Sequence, residues 1–161
     1  MEDTLNSSVQ DFTANQMQLE LKLESQFQRG ANWFFWIAGT SIINSIIILT
    51  GGQWHLIIGL GITQIFDEVA IHLAAGTGAV PLKIVALVLD FFVAGMFVVF
   101  GLLAKRRLNW AFIVGMLLYT ADGLIFILPP ADFLSIGFHV LALWGVMSGF
   151  KANRALRAIK I

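Results

Sequence analysis

The sequence predicts an all-α polytopic membrane protein, with five transmembrane helices preceded by an N-terminal amphipathic helix. Three observations predict it. Hydrophobic residues make up 58% of the 161 residues and charged residues 12%, against about 45–50% and about 25% in soluble domains. A core of this size cannot hide so much apolar surface from water. From residue 31 onward the chain is a succession of apolar runs, each near the roughly 20 residues a spanning helix needs. The runs are separated by Gly51-Gly52, the stretch 76–81, Lys105-Arg106-Arg107 and Pro129-Pro130, which is helix-stopping chemistry or charge that stays out of hydrocarbon.

Residues 1–30 form the first unit. They hold Glu2, Asp3, Asp11, Glu20 and Glu24 against Lys22 and Arg29, and contain no long apolar run. They lack the basic start, apolar run and small-residue cleavage site of a signal peptide. Leu5, Val9, Phe12, Leu19, Leu23 and Phe27 recur at steps of three, four or seven, the mark of one apolar helix face. Such a helix lies on a membrane surface, or packs against a second copy or a partner.

The bundle of 31–150 follows, with spans at about 31–50, 54–75, 82–104, 109–128 and 133–150. The second carries Asp67, Glu68 and His72, so a four-span chain with a re-entrant second segment is the alternative. Residues 151–161 form a basic tail with Lys151, Arg154, Arg157 and Lys160, suited to anionic headgroups. The positive-inside rule places this tail and Lys105-Arg106-Arg107 in the cytoplasm. With five spans the N-terminus is then outside, in a plasma or inner membrane. Trp33 and Trp36 fall near the outer boundary, and Trp54 and Trp110 near the inner one, as an aromatic belt requires.

Composition excludes several functions. The 10 basic and 10 acidic residues cancel, so nothing favours nucleic acid as a partner, and the bilayer is the expected one. With no cysteine there is no disulfide, thiol nucleophile or Cys-ligated metal. Ser41, Ser45, Ser135 and Ser148 lack a Gly-x-Ser-x-Gly setting.

Charges deep in hydrocarbon cost about 2.5–3.5 kcal/mol each on insertion scales and call for a reason. On the five-span topology, Asp67 and Asp90 each lie ~12 Å from the outer end of their spans, and Asp122 and His139 ~9 Å. Four ionisable groups on four helices are thus expected at one level. Small or polar residues beside them give the inward faces: Gly61, Gln64, Glu68 and His72 in span two; Ala86, Asp90 and Ala94 in span three; Ser135, His139 and Ala142 in span five. Span one adds Thr40, Ser41, Asn44 and Ser45, and span four adds Tyr119.

A layer of Asp67, Asp90, Asp122 and His139, with His72 toward the outer surface, suits a cation or proton site in a carrier, channel or proton-coupled device. Alternatively the layer holds a divalent metal ion, and Glu68 is the general base of an intramembrane hydrolase near the outer interface. A third reading is a non-catalytic subunit whose polar stripes dock other helices.

Overall fold

The computed structural model describes residues 2–51, 59–75, 80–128 and 131–159, with side chains from residue 10 onward. Its elements are α1 (Glu2–Leu49), α2 (Gly61–Ala75), α3 (Val80–Lys105), α4 (Asn109–Gly123), a 3-10 segment (Leu124–Ile127) and α5 (Phe133–Ile159). No strand occurs among the described residues.

Four helices are long and apolar enough to cross a membrane: α1 within Gln10–Leu49, α3, α4 with its 3-10 extension, and α5. The second apolar run is not among them. α2 has 15 residues and so a length of about 22 Å, short of a hydrocarbon core of about 30 Å. Trp54, His55, Gly52, most of the 76–81 turn and Pro129-Pro130 lie outside the described residues.

The N-terminal segment is continuous with the first span in one 48-residue helix. No Pro or Gly interrupts it before Gly30, so no backbone signal separates the two parts. Residues 10–22 are exposed all round, Phe12, Met17, Leu19 and Leu21 included, whereas Phe27 is buried in the core.

Where α1 sits decides the topology. Arg107, in the α3–α4 turn, pairs with Glu24 of α1 and lies over the Phe27 ring, its guanidinium carbon 4.6 Å from the centroid. Gly30 meets Gly149 of α5 so closely that a Cβ on Gly149 would stand 2.6 Å from the Gly30 Cα. At the other end of the bundle, Lys83 Nζ donates to the Leu49 carbonyl, 3.3 Å away, binding a carbonyl left open at the end of α1. α1 and α3 are therefore antiparallel. The N-terminal stretch of α1, the basic turn and the end of α5 share one end of the bundle. This is the arrangement of the four-span alternative, with the start of α1 and the end of α5 at the same end of the bundle.

The basic turn is well made. Arg107 takes a left-handed φ of 63°. The Arg107 N–H donates to the Ala104 carbonyl and the Leu108 N–H to the Leu103 carbonyl, the Schellman pairing that closes a helix end, usually on glycine. Asn153, fully buried on α5, donates to the Arg107 carbonyl and to Asn109 Oδ1. Above the turn, Phe34 packs among Phe97, Phe100 and Phe112, over glycines 101 and 115, where a Cβ would collide with the Phe35 and Phe34 rings.

Candidate functional site

α2 begins inside the bundle, and its first residues explain why it can. The leading N–H groups of a helix have no partner within it, and hydrocarbon supplies none. Here other helices supply them. The Leu60 N–H donates to Ser41 Oγ at 2.8 Å, the Gly61 N–H to Asp122 Oδ2 at 2.7 Å, and the Ile62 N–H to Asp122 Oδ1 at 2.9 Å. A carboxylate from α4 thus caps α2 from across the bundle, where the partial positive charge of a helix start favours an anion. Gly61 has little room for more: a Cβ there would come 2.9 Å from the Phe126 ring.

His139 of α5 completes this cluster. Its Nδ1–H donates to the Ser135 carbonyl at 2.9 Å, which leaves Nε2 to share a proton with Asp122 Oδ2 at 3.1 Å. The ring stacks on Tyr119, centroids 4.3 Å apart and planes 13° from parallel, and meets the tilted Phe126 ring at 5.1 Å. Both side chains of the Asp122–His139 pair are nearly inaccessible, at 6% and 4% exposure. Asp132, seven residues before His139, fixes the start of α5 by accepting from the Leu134 and Ser135 N–H groups.

A second pair lies farther along α2. Asp67 of α2 and Asp90 of α3 face each other beside Ser45 of α1, all three fully buried. None of the four carboxyl oxygens accepts a hydrogen bond from an N–H group or a cation among the described residues. Gln64 Nε2 and the Tyr119 hydroxyl are likewise buried without a partner.

The four predicted residues are therefore brought into the bundle but not into one layer. Asp122 lies at residues 61 and 62 of α2, while Asp67 lies about 8 Å farther along that helix. The single level rested on a second segment spanning the membrane from end to end; starting α2 in the interior shifts Asp67 away from Asp122. The inward faces of α3 and α5 are as expected, with Ala86, Asp90 and Ala94, and Ser135, His139 and Ala142, all buried. That of α2 is as expected only at Gly61: its buried face continues through Thr63, Asp67, Ala70 and Ala74, with Gln64 half-buried and Glu68 and His72 exposed.

Glu68 and His72 stand on the outer side of α2, each side chain 77% exposed, 3.8 Å from one another. No group of three or more His, Asp or Glu residues is placed to hold a metal ion among the described residues. Among the described residues, Glu68 therefore has no set of metal ligands beside it. Sequence reasoning missed the start of α2 and the part Ser41 plays there; the one available signal was Gly59-Leu60-Gly61 interrupting an apolar run. No family model, curated protein or solved structure matches the chain.

Proposed function

We propose that this small integral membrane protein binds protons within its helical bundle, at Asp67 and Asp90, in a proton-coupled role. One observation carries the reading: two fully buried carboxyl groups face each other with no cation or N–H group bonded to them among the described residues. Two such groups repel when both are ionised, and hydrogen-bond to each other only when at least one holds a proton. Exposed Glu68 and His72 follow Asp67 along the same helix, toward the end of the bundle where Lys83 meets Leu49. The basic residues 105–107, 151, 154 and 157 gather at the opposite end, which the positive-inside rule makes cytoplasmic. The N-terminal stretch of α1 then lies on that side too.

Infrared difference spectroscopy of the purified protein tests the proposal. A protonated carboxyl C=O band at neutral pH, lost in Asp67→Asn with Asp90→Asn, supports it. Absence of that band overturns it. Proteoliposomes carrying the native chain and the double variant then show whether binding is coupled to proton movement.

A further inference from the structure

Between α3 and α4 the bundle opens on a pocket of about 330 Å³, within the size range of ligand sites. Leu60 and Ile62, at the start of α2, line it together with Val93 and Phe97 of α3 and Ala121 and Asp122 of α4. Asp122 is the one charged group in its wall among the described residues. A carboxylate offers about four acceptor positions. On Asp122 Oδ2 two are taken, by the Gly61 N–H and by His139, and on Oδ1 one is taken, by the Ile62 N–H. One position on Oδ1 is left.

The depth of the pocket selects its ligand. Asp122 lies ~20 Å along α4 from Asn109, deep in a hydrocarbon core of about 30 Å. Ala121 at the rim is exposed on the outer surface of the bundle, so entry is from the acyl-chain region. Ionic headgroups do not dissolve there. A molecule that reaches the pocket is uncharged and largely apolar, and the open Oδ1 position asks it for a hydrogen-bond donor.

We infer that the pocket binds a membrane-dissolved alcohol, whose chain fills the apolar wall and whose hydroxyl donates to Asp122 Oδ1. The inference stands on Asp122 and not on Asp67 or Asp90, so it can fail while the proton-binding reading holds, and the reverse.

The full chain in nanodiscs, titrated with 1-dodecanol and with dodecyl methyl ether while its thermal midpoint is followed, provides the test. The two probes share an apolar chain, but the ether accepts hydrogen bonds and donates none. The alcohol is expected to bind about tenfold more tightly than the ether, the worth of a hydrogen bond to a charged group. Ala121→Phe, which fills the rim from the lipid side, is expected to abolish alcohol binding, and Val93→Phe to do the same from the α3 wall. Equal shifts with the two probes overturn the inference. So does undiminished alcohol binding in whichever of the two variants keeps the native helical spectrum.

Discussion

The bundle buries two pairs of ionisable side chains, and they differ in how many donors reach them. Asp122 accepts two backbone N–H groups at the start of α2 and shares a proton with His139, whose other nitrogen is also bonded. Asp67 and Asp90 have no N–H or cation bonded to their oxygens among the described residues. Both pairs lie in the low-dielectric interior, yet one is a structural cap and the other is left without a capping partner among the described residues. Burial does not separate the two. The count of hydrogen bonds reaching each oxygen does, because an unsatisfied buried polar group costs free energy that a satisfied one does not.

The contrast can be broken by mutation. Asp122→Ala removes two partners from the start of α2 and leaves His139 alone, so a loss of about 3–5 kcal/mol is expected, as for one half of a broken buried pair. Unfolding in mixed detergent micelles measures it, and a loss near zero would remove the cap from the account. His139→Ala leaves both backbone bonds to Asp122 in place and is expected to cost less, about 1–3 kcal/mol, in the same assay. Ser41→Ala strips the acceptor from the Leu60 N–H and should cost about 1 kcal/mol. Asp67→Leu combined with Asp90→Leu tests the opposite sign. Replacing buried charged groups by apolar ones is often neutral or stabilising, so the double variant is expected to unfold no earlier than the native chain while losing the carboxyl infrared band. Glu68→Gln is expected to leave the unfolding midpoint unchanged, since exposed ion pairs contribute little.

Much of this fold is legible in the sequence, and the limits have physical causes. α3, α4 and α5 follow from apolar runs with local stops, since each is bounded by its own chemistry: Arg107 in the turn, Asp132 before α5. Their inward faces follow from lines of small and polar residues such as Ala86, Asp90 and Ala94. The start of α2 does not follow, because its cap is Asp122, 61 residues away from Gly61 in the chain. A helix start satisfied from so far away leaves no local mark, so the run 54–75 looks like one more span. A fifth span would turn α1 parallel to α3, place the N-terminal stretch at the end away from the basic turn, and merge the two pairs into one layer. The arrangement of α1 rests on the Glu24–Arg107 pair and the Gly30–Gly149 contact, both long-range.

The borrowed cap of α2 also sets an order of assembly. As the chain emerges from the ribosome, Gly61 and Ile62 are made well before Asp122. Until α4 arrives, the Gly61 and Ile62 amides lack the carboxylate that caps them, and bare lipid offers no substitute. The α2 segment must therefore wait at the aqueous boundary or inside the insertion machinery, and it settles into the bilayer only after the fourth helix has been delivered.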